Sequence, residues 1–465
     1  MIAVAADRLT PAEAARRAAT AAGAFWLSTP AADEAADEAA DEAVDEAVDE
    51  ASIARDLVGA QPVATVRGSR PSDLAALEQA WAEARAAWSA RGGAPAGIPV
   101  AVGWLSYELG RRLVGLSPRE VDRPLFEFYF NDAIWVREGA GAATIFGRDA
   151  AAAARLAELL SRQAPTEPPR LGLLAAVDPD QTFLDGVGRI LDYLQAGDAY
   201  QVNLSRRLRA SCGPGDPSLI AAGLRARAPA PHAAFISRGN ARQSGIDPGF
   251  DAIWGNSPER FLSLATDGSV ETRPIKGTRP RGGDAAADRA AAAELGSAAK
   301  DRAEHVMIVD LERNDLGRVC VSGSVEVAAL ARLVSLPTVH HLVSTVRGQL
   351  RPEVGLAALL AATFPGGSVT GAPKRRAMQI IDELEPAPRG LYTGATGWLG
   401  AAGDLDLAIA IRTAVARAGQ LELSVGGGIV VDSTPEAELR ETEVKARAFA
   451  ELCGARSAPP PPRRW

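Results

Sequence analysis

The sequence predicts an α+β fold, with strands gathered into sheets and helices on their outside. Three observations carry this. Short β-type segments cluster at 233–275 and again beyond 405. Helical periodicity comes in separate blocks, not between every pair of strands as βαβ units require. The composition, 47% hydrophobic and 23% charged over 465 residues, allows a sizeable core and argues against global disorder.

Along the chain, Met1 to Ala22 has scattered charges and no continuous apolar run, so no signal peptide is expected. Residues 31–51 repeat Ala-Asp-Glu-Ala with small variations. A four-residue period drifts around a 3.6-residue helix and builds no lasting apolar stripe. The repeat reads as a solvated insertion, frayed helix or disorder, in preference to a binding element. The net charge of −8 argues against a nucleic-acid surface, and much of it lies in the five Asp-Glu pairs of this repeat. Residues 100–105 and 133–136 have the pattern of core strands. A Pro-rich break at 163–181 follows an Ala-rich helix, so the main boundary is expected there. That gives an N-terminal region over 1–165, a linker at 166–182, a main region over 183–453 and a loose tail from 454 to 465.

Phe183, Val187, Ile190, Leu191 and Leu194 have helical spacing up to Gly197. Strands are expected at 233–237, 252–254, 260–264 and 269–275, with a hairpin turn at Asp267-Gly268. Helices follow at 301–314, stopped by Gly317, and at 373–384, with Pro373 in the first helical position. One long strand at 405–415 turns at Ala418-Gly419 into another from Leu421. The last helix starts after the capping run Ser433-Thr434-Pro435-Glu436 and reaches about Cys453. No apolar run is long enough to span a membrane. Cys212, Cys320 and Cys453 form no CxxC, which excludes a disulfide framework or thiolate zinc site and suits a reducing cytosol.

Several positions carry possible chemistry. Lys276, between Ile275 and Gly277 after an apolar strand, is either a solvated surface lysine or an amine held in a cleft. In a cleft, desolvation or a neighbouring cation would make it nucleophilic. Asp301 with Glu304, and Glu438 with Glu441, are pairs spaced by three on two helices. If the helices meet over a cavity, such carboxylates make a hard-oxygen site for Mg2+; otherwise they are solvated faces near Arg302, Arg440 and Lys445. The loop 364–374 brings glycines into a helix N-terminus that could hold an anion. Ala372 stands where a P-loop needs lysine, so a nucleotide reading is poor. Gly426-Gly427-Gly428 runs into a strand, which excludes a dinucleotide fingerprint. Arg412, a lone charge in an apolar strand, needs an anion, either a substrate carboxylate or an internal partner. Of His340 and His341, one is expected to face solvent and the other the cleft. Glu259 is a candidate general acid or an ordinary ion-pair member.

The ordered motifs Gly197–Ser205, Ser257–Phe261, Pro274–Thr278, Glu304-His305, Asp310–Asp315, the 364–374 loop and Arg389–Ala395 resemble the chorismate-utilising enzymes. The resemblance is strong over about 180–452 and weaker before it. It implies large mixed, mainly antiparallel sheets packed face to face with helices outside, and makes 183–453 the chorismate-binding catalytic domain. It further implies Mg2+ held by Glu304 and Glu441, supported by Asp301 and Glu438, on the ring carboxylate of chorismate. Tyr392, Arg412 and the Gly428 backbone would hold the enolpyruvyl carboxylate, with His341, Ser368, Gly277 and Thr278 also at the substrate. Anthranilate-forming members usually have alanine at the position of Lys276, whereas 4-aminating members have lysine. Isochorismate- and salicylate-forming members usually carry a water-activating lysine where Gln201 stands. The resemblance therefore implies covalent attack by Lys276 with Glu259 as acid, then ammonia attack, giving 4-amino-4-deoxychorismate for 4-aminobenzoate and folate synthesis.

No cysteine here has the G-x-C-x-G setting of the usual glutaminase, so ammonia is expected from a separate glutaminase subunit. Anthranilate formation and a non-catalytic chorismate-binding subunit are the alternatives. Phe25-Trp26-Leu27-Ser28 stands near the position of a family element linked to tryptophan binding, and departs from its pattern.

Overall fold

The computed structural model describes residues 2–5, 9–29, 55–90, 92–164, 166–238, 250–336 and 339–454. The acidic repeat at 31–51 lies outside these residues, as does the expected tail beyond Gly454.

Two sheets organise the chain, and every strand pairing among the described residues is antiparallel. The first sheet runs from Ile2–Ala5 through Ala143–Gly147, Ala133–Glu138, Arg55–Gly59 and Ala24–Thr29. It continues through His232–Ser237, Ala252–Ser257, Thr413–Arg417, Gln420–Ile429 and Gln201–Ser211 to Gly371–Ala372. The second runs from Ile275–Pro280 through Val339–Gln349, Ser269–Thr272, Arg260–Leu264, Leu405–Ile409, Ala395–Gly400 and Pro99–Leu105 to Phe126–Phe130 and Ala64–Gly68. Both sheets therefore take strands from either side of the 166–182 segment.

Side-chain alternation builds the layers. Phe25 and Leu27 face the second sheet, where they share one core with Val100, Val102, Trp104, Phe126, Phe128 and Leu407. Trp26, between them, faces the other way and joins Trp135, Trp254, Leu421 and Leu423 under helices. Those helices are Pro11–Ala18, Ala150–Ser161, Ser218–Arg227 and Pro435–Leu452. Each large side chain so buried contributes about 2–3 kcal/mol. A third cluster seats helices Asp180–Gln195 and Lys374–Leu384 on Val202, Leu204 and Ile429.

Three expected elements differ. The strand expected at 269–275 continues to Pro280 with a gap at Arg273-Pro274, because proline has no N–H for the ladder. Its register on Val339–Gln349 is unbroken across the gap, Thr272 facing Val346 and Ile275 facing Val343. The strand expected at 405–415 is two strands in different sheets, because the chain crosses between sheets at 410–412, where Arg412 has φ +48°. Pro373 precedes the helix as its N-cap instead of entering it.

Candidate active site

Lys276 is delivered by the strand Ile275–Pro280, and Gly277 shapes the delivery. The register on Val339–Gln349 slips between Lys276 and Thr278, and Gly277 takes φ +75° there. A Cβ at 277 would stand 2.9 Å from Leu295 Cδ1, so glycine is required on both counts. The Lys276 Nζ donates to the Ser368 carbonyl at 3.3 Å. Desolvation pushes its pKa down, Lys445 pushes the same way, and Glu259, Glu304 and Glu441 oppose them.

Glu259 is 4% exposed. Its Oε1 accepts from the Ile275 N–H at 3.4 Å, and its own N–H donates to Ser257 Oγ at 3.2 Å. Burial pushes its pKa up, while the Ser368 hydroxyl and the Lys276 charge hold it down. Burial thus shifts both Lys276 and Glu259 in the direction of their uncharged forms.

Thr278 lies opposite His341, with Oγ1 2.8 Å from Nδ1. His341 is buried and its pKa falls to about 4, chiefly through desolvation, so its ring is neutral near pH 7. Its Nε2 has no partner among the described residues, and neither do the two amide atoms of Gln201. Gln201 is fully buried over Gly428, where a Cβ would meet its Nε2 at 2.8 Å. Unpartnered buried polar atoms of this kind are what a polar substrate would satisfy. The expectation that one histidine of the pair faces solvent is corrected. Both are buried, and His340 is held by Ser335 at 2.8 Å and Asp288 at 3.0 Å.

Arg412 is half-buried and has no ion-pair partner among the described residues, so the internal salt bridge weighed from sequence does not form. Desolvation lowers its pKa and the Glu259 charge opposes this. Tyr392 is buried, with its pKa raised by burial. It follows Arg389, whose guanidinium carbon lies 5.5 Å from the Tyr392 ring centre and 4.7 Å from that of Tyr107. Arg389 is pinned by Glu385 at 2.9 and 2.7 Å, and Gly390 by Glu108 at 3.2 Å. The helix Tyr107–Leu113 therefore fixes the loop that presents Tyr392.

The acidic residues come from two helices. Glu304 on Ala299–Gly317 and Glu441 on Pro435–Leu452 both act on the Lys276 charge, so both lie on the side of the protein where that amine sits. Glu438 accepts from Ser433 at 2.6 Å and lies with Glu441 over Gly427. Asp301 pairs with Arg279 at 3.0 Å. Among the described residues no three His, Cys, Asp or Glu side chains form a group able to hold an ion by themselves. Two carboxylates are nonetheless enough for Mg2+ where waters and substrate oxygens complete the sphere, so Glu304 and Glu441 fit that ion.

Lys445 is the residue that sequence reasoning missed. Its Nζ lies 2.7 Å from the Gly426 carbonyl and 2.8 Å from Glu441, and its charge reaches both Lys276 and Glu259. The available signal was its i+4 spacing from Glu441. Lys374, late for a phosphate loop, instead ties the glycine loop down through the Pro365 carbonyl at 2.8 Å and Asp315.

A desolvated lysine with carboxylates acting on its charge is a setting for catalysis, and the chain's relatives are enzymes. The chain belongs to the chorismate binding enzyme family, whose profile matches residues 37–451. It is 42% identical over 348 residues to aminodeoxychorismate synthase component 1 of Salmonella typhimurium, covering 74% of each chain. With the Escherichia coli protein of that name it is 48% identical over 254 residues, 55% of this chain and 53% of that one. Among solved structures, anthranilate synthase component I from Streptococcus pneumoniae superposes with a TM-score of 0.70 at 28% identity, covering 88% of this chain and 94% of that one.

Proposed function

We propose that this chain is the synthase component of an aminodeoxychorismate synthase. It converts chorismate and ammonia to 4-amino-4-deoxychorismate, for 4-aminobenzoate and folate synthesis in the cytoplasm. Lys276 carries this reading, because it sets a desolvated amine beside a buried carboxylic acid.

In the proposed sequence, Glu259 gives its proton to the 4-hydroxyl as the C4–O bond breaks and water leaves. The Lys276 nitrogen forms a bond to C2 while both conjugated ring double bonds shift, C1=C2 to C1=C6 and C5=C6 to C4=C5. Ammonia then attacks C4, both double bonds shift back, and the C2–N bond to Lys276 breaks. Glu259 takes up the proton that the incoming nitrogen releases, so no external acid is consumed. Two displacements explain a 4-amino product where a single one would give the 2-amino isomer. Arg412, Tyr392 and the Gly428 backbone would hold the enolpyruvyl carboxylate, with His341, Ser368, Gly277 and Thr278 lining the ring. Glu304 and Glu441, with Asp301 and Glu438 behind them, would hold Mg2+, which neutralises the ring carboxylate when bound. The ammonia would come from a separate glutaminase subunit, since Cys212, Cys320 and Cys453 lack the setting of such a nucleophile.

The test is to mix purified protein with chorismate, Mg2+ and ammonium salt and identify the product. Formation of 4-amino-4-deoxychorismate is expected. Fluorescent anthranilate would place the chain with the anthranilate-forming enzymes, and no turnover would favour a non-catalytic chorismate-binding subunit.

A further inference from the structure

Glu312 has no part in the mechanism above, yet it grips the strand that delivers Lys276. It lies on the helix Ala299–Gly317, is 5% exposed, and accepts a hydrogen bond from Thr272 Oγ1 at 2.9 Å. Thr272 ends one half of the interrupted strand, and Ile275, at the start of the other, gives its N–H to Glu259. The break at Arg273-Pro274 is thus held at each end by a buried glutamate, and Ser344 N donates to the Pro274 carbonyl between them at 3.1 Å. Gly367, beside Ser368, lies next to the Glu312 side chain, since a Cβ there would stand 3.5 Å from Glu312 Cγ.

The charged groups facing Glu312 are Glu259, Asp315 on its own helix, and Lys374. Lys374 is already paired with Asp315, so Glu312 has no cation of its own. A buried carboxyl near a second carboxyl keeps its proton.

We propose that Glu312 is a positioning residue of the amination: as an uncharged acid it clamps the Thr272 end of the broken strand, opposite Glu259 at the Ile275 end, and sets the reach of Lys276. Burial, with the charge of Glu259 as the next cause, pushes its pKa up to about 8, in keeping with that role. The role rests on the proposed amination, and its tests separate the two.

Glu312→Leu and Thr272→Val each remove the clamp from one side, so either tests it if the other fails to fold. Both are expected to lower kcat about tenfold, the size of one buried hydrogen bond, with chorismate KM within about twofold. Glu312→Gln keeps an acceptor for Thr272 and is expected to restore kcat to within about threefold. An effect on KM instead of kcat, wild-type kcat in both clamp variants, or a Gln variant as slow as Leu would overturn the clamp. A second arm needs no substrate. A carboxyl whose folded pKa is raised from 4.5 to about 8 supports the fold fully below 4.5 and loses that support as pH climbs toward 8. Glu312→Gln should therefore gain Tm relative to wild type across that interval. A constant difference in Tm at every pH would show that Glu312 is not an uncharged acid. If wild type yields anthranilate instead, the proposed function fails, and the kcat comparison on that product still decides the clamp.

Discussion

At Lys276 and Glu259 the useful state is the uncharged one for both groups, because a lysinium beside a carboxylate can neither attack carbon nor donate to a leaving hydroxyl. Lys276→Ala is expected to lower 4-amination by about two orders of magnitude or more, and intact-protein mass spectrometry with chorismate should show no adduct. The pH dependence has a definite sign. Because burial pulls the Lys276 pKa down, the neutral amine persists to lower pH than for a free lysine, and adduct formation fails as pH falls through that lowered value. Lys445→Gln removes the neighbouring cation, so this acid limb should move to higher pH. A limb that stays in place would show that Lys445 does not act on the amine. Glu441→Gln should raise the Mg2+ concentration for half-maximal rate about tenfold, and chelation with EDTA should stop turnover. Lys276, Glu259 and the spaced acids were legible because their residue types and motif order carry the signal. Lys445 and Glu312 were not, since a lysine or glutamate on a helix reads as solvated until the surface it faces is known.

Element by element, the interruptions of regular structure place the chemistry. The Arg273-Pro274 gap, the Gly277 bulge and the sheet crossing at Arg412 each interrupt a strand at or beside a candidate site residue. Pro274 and Gly277 are visible in a sequence. The crossing is not, because Arg412 takes a positive φ without a glycine to announce it, and residues 405–415 keep strand-like composition across it. Alternation likewise cannot separate His340 from His341, since each side of their strand meets protein, not water. Strand Gln420–Ile429 offers a test at this scale. Gly428→Ala would push Gln201 aside, and is expected to raise chorismate KM about tenfold, the effect of one misplaced polar contact. Unchanged KM would mean that Gln201 yields without cost.

For the whole molecule, the buried histidines withdraw support from the fold in acid, opposite in sign to the buried Glu312. His232, His305 and His341 have folded pKa values near 4 against 6.5, with desolvation the first cause in each. Unfolded chains therefore bind more protons between those values, and stability falls as pH drops from about 6.5 toward 4, by up to about 3 kcal/mol for each histidine. The urea midpoint of wild type minus that of His232→Gln, taken at pH 7 and at pH 4.5, separates this from the opposite contribution of Glu312, and a difference independent of pH would contradict it. The sheet architecture was expected from the strand runs and the family resemblance. How strands from the first 165 residues thread into both sheets was not, because pairing between distant segments leaves no local pattern.

That threading has a consequence for synthesis on the ribosome. Pro99–Leu105 is buried along its whole length, yet one of its edges pairs only with Ala395–Gly400, about 290 residues later. At ~5–20 residues per second that edge waits on the order of 15–60 s for its neighbour. A nascent chain with an open apolar edge for so long is a natural client of ribosome-associated chaperones, and its yield should fall when translation outruns their supply.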